Sequence, residues 1–84
     1  MELKDTVYGM LSDDYQERFV AEYNQACIRA KKLKILLDKD DRGELGFKLR
    51  CTRSLLESQY LAMLSYIRTL EQRAKVEKIN LSEV

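Results

Sequence analysis

Across residues 13–38 the apolar positions Tyr15, Phe19, Tyr23, Ala26, Ala30, Leu33 and Leu37 recur at steps of three and four. That spacing traces one face of an α-helix and does not fit the alternation of a strand. A flanking stripe of Val20, Cys27, Ile28 and Ile35 makes the apolar face wider than one partner helix covers. Residues 52–78 repeat the pattern with Leu56, Tyr60, Met63, Ile67, Leu70 and Ala74, a seam of coiled-coil type. Leu55, Ala62 and Tyr66 widen this seam on one side, and Leu61 and Leu64 point elsewhere.

Capping signals bound these helices. Ser12-Asp13-Asp14 offers side-chain acceptors and negative charge at the start of the first. Thr52 or Ser54 does the same for the second. The acidic run from Asp38 to Glu44, with Gly43 inside it, predicts the end of the first helix. In the connector, residues 39–51, the apolar Leu45, Phe47, Leu49 and Cys51 alternate with polar or small residues, which predicts a short extended strap. The lead, residues 1–11, places Leu3, Val7, Met10 and Leu11 at helical spacing and predicts a turn or two of helix resting on them. The tail from Ile79 onward is expected to fray or to dock through Ile79 and Leu81.

The predicted fold is all-α: an antiparallel two-helix hairpin with a short N-terminal helix, one domain over residues 1–84. Two helices of about 26 residues are each about 39 Å long. A pair of rods cannot hide two apolar stripes apiece, and ordering the backbone costs about 1–2 kcal/mol per residue. Association of copies into a helical bundle is therefore expected, with the chain itself as first partner.

Composition narrows the function. The 84 residues contain no proline and three glycines, too few turn residues for a β-sandwich or barrel. Fifteen basic and fourteen acidic side chains leave +1, which predicts only weak nucleic-acid binding. Histidine is absent. No thiol or serine then has an imidazole to activate it, and the reading is a non-enzyme without catalytic residues. A calcium loop starting at Asp38 would place Arg42 and Leu49 at ligand positions, and Cys27 and Cys51 have no ligand partners nearby. Neither a metal nor a cofactor is expected. The two cysteines read as unbridged small hydrophobes. The opening Met-Glu-Leu-Lys-Asp lacks the basic and apolar regions of a signal peptide, no run is long enough to span a membrane, and the expectation is cytoplasmic.

Binding chemistry gathers in two residue types. Lys48, Arg50 and Arg53 sit beside the start of the second helix, whose free backbone N–H groups favour anions of phosphate size. The hairpin brings Arg29, Lys31, Lys32 and Lys34 to the same end, together with the acids from Asp38 to Glu44, which can neutralise the patch. Five of the seven aromatics are tyrosines. Most of them suit a core or an interface, and Tyr8 or Tyr15 is the candidate to stack on a base.

The segment Met10-Leu-Ser-Asp-Asp-Tyr-Gln-Glu-Arg-Phe-Val-Ala-Glu-Tyr resembles a recurrent family of small phage and prophage proteins of gut bacteria. The likeness continues at Ile28-Arg29, Lys32-Leu33, Cys51 with Ser54-Leu55, and Leu70-Glu-Gln-Arg-Ala-Lys-Val-Glu. Relatives often carry a proline after the mid-chain cysteine, where this chain has Thr52. In size, helix count and lack of catalytic residues the chain is also similar to phage helical-hairpin proteins that sequester nucleotide immune signals. That likeness implies a counter-defence protein in the host cytoplasm that holds a phosphorylated, cyclic nucleotide at a protomer interface. Phosphates would lie on Lys48, Arg50 and Arg53, and a base on Tyr8 or Tyr15 of a neighbouring protomer. Its rivals are an inhibitor bound to a host defence effector or nuclease, and a structural or assembly factor.

Overall fold

The computed structural model describes residues 1–81; the end of the tail, residues 82–84, lies outside them. Every regular element among the described residues is helical. A 3-10 turn, Leu3–Thr6, runs into α1, Val7–Met10; the two long helices are α2, Tyr15–Asp41, and α3, Arg53–Glu77.

The N-terminal signals act as the sequence predicts. Asp14 Oδ1 accepts from the Gln16 backbone N–H at 3.2 Å. Thr52 Oγ1 accepts from that of Leu55 at 3.3 Å, so Thr52 is the cap and Ser54 lies inside α3. α3 closes with Lys78 in the left-handed region at φ 58°. There the Ile79 N–H bonds back to the Ala74 carbonyl at 2.8 Å, a Schellman-type ending. This turn folds Ile79 onto the core, where it is buried, and Leu81 packs against the same cluster.

Cross-helix contacts fix an antiparallel register. Tyr15 meets Glu77, Tyr23 meets Glu71, and Asp40 meets Arg53, one index falling as the other rises. Phe19, Ala26 and Ala30 of α2 bury against Ile67, Leu70 and Ala74 of α3, sealed by Ile79. Leu70 is the most enclosed of these, at 1% exposure. The seam is closed mainly along one half of the hairpin; toward the connector, Leu56, Tyr60 and Met63 are only half-buried.

Four expectations are corrected. α2 runs to Asp41 rather than stopping at 38, because ion pairs of Lys34 with Asp38, and of Arg53 with Asp40 and Asp41, neutralise carboxylates at the negative end of the helix dipole. It ends where Gly43 takes φ +69°. The connector is a series of bends with no strand, and Phe47 and Cys51 are exposed instead of forming an apolar edge. Of the two free thiols, Cys27 is the half-buried small hydrophobe expected and Cys51 is not. The lead packs largely through another face than the one predicted: Thr6 is buried and Gly9 half-buried, and of the predicted residues Leu3 is half-buried whereas Val7, Met10 and Leu11 are exposed. Gly9 explains this choice, since a Cβ there would lie 2.8 Å from that of Ala21 on α2. Only the bare backbone comes close enough, and the larger side chains are left facing outward.

Candidate functional site

The connector end carries the cations, and the fold sorts them. Arg53, the first residue of α3, is enclosed by carboxylates: Nη1 donates to Asp40 at 2.7 Å and to Asp41 at 2.8 Å. Its Nε lies 3.0 Å from Glu57 Oε1, an ion pair too far off axis to be a hydrogen bond. The Arg53 guanidinium holds the Asp41 carboxyl below its ordinary 3.8. Arg42 pairs with Glu44 at 3.0 Å and Lys34 with Asp38 at 3.4 Å. Lys48 and Arg50 are exposed and make no ion pair or side-chain hydrogen bond among the described residues. Three cations are thus spent on the hairpin's own acids, and two of the three named from the sequence remain available.

A shallow pocket of about 260 Å³ opens between the last turns of α2 and the connector, with the Glu44 carboxylate in its lining. Lys32, Lys39, Leu36 and Phe47 line it, and Lys48 follows Phe47 directly in the chain. Phe47 is 61% exposed, an aromatic ring presented among ammonium groups. Neither Phe47 nor Lys39 stands out in the sequence. Alternation assigned Phe47 to an apolar edge, and Lys39 joins the pocket only because α2 extends through it.

Tyr8 and Tyr15 lie at the other end. α2 separates them from the connector by about 40 Å at 1.5 Å per residue, in a molecule whose longest dimension is 42 Å. Tyr8 is 88% exposed, on the outer side of α1. Tyr15 is half-exposed but committed: its hydroxyl donates to Glu77 Oε1 at 2.6 Å and accepts from Arg73 Nη2 at 3.1 Å. The Arg73 guanidinium also stacks on Phe19, 4.9 Å from the ring centroid. Bonding to the Glu77 carboxylate raises the Tyr15 hydroxyl above its ordinary 10.0. Tyr23 is held in the same way, donating to Glu71 at 2.7 Å, and its hydroxyl is raised further. One chain therefore keeps the cations and the two tyrosines apart.

A second pocket, about 380 Å³, lies at the tyrosine end between the lead, α2 and the residues after α3. Asp5, Asp14 and Glu17 line it over an apolar wall of Val20, Ala21 and Ile79, and it includes no cationic side chain. Asn24 also lines it, 5% exposed, with its Oδ1 buried and without a hydrogen-bond partner. Among the described residues no helix is long and apolar enough to cross a membrane.

No curated protein and no solved structure matches the chain. A family model does, over residues 13–76, which takes in α2, the connector and nearly all of α3. The matched segment holds the Arg53 clamp, the Tyr23–Glu71 contact and the free cations, and on that match the chain belongs to the Sequestin family.

Proposed function

We propose that this Sequestin is a phage-encoded binding protein, not an enzyme, that removes a phosphorylated, cyclic nucleotide signal from the host cytoplasm by holding it between copies of itself. The family name describes sequestration, and the chemistry of the connector supplies the ligand class. The observation that carries the reading is the sorting of charge: Arg53, Arg42 and Lys34 are neutralised internally, while Lys48 and Arg50 stay free in the connector, whose exposed Phe47 lines a pocket with Lys32, Lys39 and the Arg42-paired Glu44. Free cations next to an aromatic ring suit a ligand that is anionic at one end and flat at the other. Arg53 then orders the connector instead of touching phosphate. In an antiparallel pair, Tyr8 and Tyr15 of one copy face the connector of the other.

Self-association has its own support. The chain exposes 6308 Å², against roughly 5,200 Å² for a compact protein of this mass. Leu55, Leu61 and Tyr66 stand exposed on α3, at 62%, 64% and 45%. The same surface favours a second reading, an inhibitor seated on a host defence effector.

Melting the protein with a panel of cyclic dinucleotides separates the two. Capture predicts a rise in Tm that saturates with ligand. A Lys48→Ala/Arg50→Ala double variant should lose at least about tenfold in affinity, with its own Tm unchanged because neither side chain is bonded. Curves that stay flat across the panel would remove the capture reading.

A further inference from the structure

We propose that the acidic pocket at the tyrosine end reads the base of the captured nucleotide and selects guanine. This rests on the nucleotide reading above and adds to it the identity of the base.

Burying an amide oxygen without a donor costs stability, and native proteins rarely leave one so. Asn24 Oδ1 is such an atom, and its side chain borders a pocket already lined by Asp5, Asp14 and Glu17. All of these groups accept hydrogen bonds. Asp5 takes the Glu2 N–H, Asp14 the Gln16 N–H and Glu17 the Ser12 hydroxyl, so each carboxylate is held in place through one oxygen. Thr6, Gln16 and Asn80 line the pocket too and can both donate and accept, but every charged group in it is an acceptor, which favours an occupant rich in donors. Phosphate is repelled, and of a nucleotide's neutral parts the flat base, rather than the ribose, suits a pocket with an apolar wall of Val20, Ala21 and Ile79.

Among the bases, guanine presents two adjacent donors, N1–H and the 2-amino group, which a carboxylate accepts side by side. Adenine sets its N1 lone pair next to its amino donor, and against a carboxylate that lone pair is repelled. Guanine's second amino hydrogen remains for Asn24 Oδ1. The pocket is bounded by Gly9, Asp14 and Gln16, the chain neighbours of Tyr8 and Tyr15. From an antiparallel copy, the free Lys48 and Arg50 then supply the contacts to phosphate.

The experiment titrates the full chain with guanosine, and with the 5′-monophosphates of guanosine, inosine and adenosine, while following the Asn24 side-chain amide by NMR. Guanosine should shift that signal, and GMP should bind roughly tenfold more tightly than IMP, which lacks the 2-amino group. AMP should leave the signal in place. Asn24→Leu should cost GMP at least about tenfold while Tm holds or rises, since an unpaired polar group has been removed. Glu17→Gln, at an exposed position, should lower the preference for GMP over IMP and keep the fold. Equal affinity for the three monophosphates, or GMP binding unchanged in Asn24→Leu, overturns guanine selection. If that binding still falls in Lys48→Ala/Arg50→Ala, capture stands without it. Should guanosine and GMP both leave the Asn24 amide unmoved, the pocket is not a base site, and the cyclic dinucleotide panel judges capture separately.

Discussion

Gly9 sets how closely the lead can lie on α2. Any side chain there meets Ala21, because the missing Cβ would fall 2.8 Å from the one opposite. Gly9→Val should therefore lift the lead away, at a cost of about 1–3 kcal/mol typical of overpacking. Denaturant unfolding reads the loss, and faster proteolysis within residues 1–11 locates it. A variant as stable and as protected as the parent would show that the contact is not needed. The cysteines carry the same kind of local information: burial raises the pKa of the Cys27 thiol, whereas Cys51 is open to solvent.

Between elements, the hairpin is fastened by polar clamps at both ends of an apolar seam. At the connector, Arg53 gathers carboxylates from the end of α2 and from its own helix. Because Asp41 titrates below its ordinary 3.8 in the folded chain, the clamp's contribution is complete above that value and is lost as pH falls through the lowered one. Arg53→Met should lower Tm at neutral pH, where the clamp is complete, and converge with the parent in acid, which flattens the acid limb of a plot of Tm against pH. An acid limb identical to the parent's would place the acid-sensitive contacts elsewhere. At the far end the dependence is reversed. Tyr15 and Tyr23 ionise above their ordinary 10.0, so their bonds to Glu77 and Glu71 stabilise the fold below that pH and are lost as pH rises past it. Ultraviolet titration should show two tyrosines ionising later than the rest, and Tyr23→Phe should remove one of them.

The whole molecule is a rod. Its radius of gyration is 14.9 Å, where about 12 Å describes a compact domain of this length. A rod of two long helices has too little interior for its apolar side chains, which is why Leu55, Leu61 and Ile35 remain exposed beside a core that Leu70 alone fills completely. Sedimentation equilibrium at micromolar concentration should report association, and Leu61→Glu should weaken it by roughly tenfold or more, as burial of one such side chain is worth about 1.5–3 kcal/mol. A solitary, well-folded chain over that range would leave the cations and the tyrosines of different copies apart, and the shared site with them.

How much of this was legible beforehand follows from the range of each interaction. Helical periodicity and the capping runs Ser12-Asp13-Asp14 and Thr52 to Ser54 are written in near neighbours, and the sequence alone determined them, while the structure chose Asp14 and Thr52 within those runs. The sequence also marked Lys48, Arg50 and Arg53 as one basic group, because they are close in the chain. Which of them is free was decided only by the tertiary structure, since Asp40 and Asp41 reach Arg53 across the turn and no local rule sets that register. The same holds for the lead, whose packing face is chosen by an approach that Gly9 permits, and for the pocket at Asn24. A polar residue inside a helix looks ordinary in a sequence. Its isolation becomes visible only once three segments from different parts of the chain close around it.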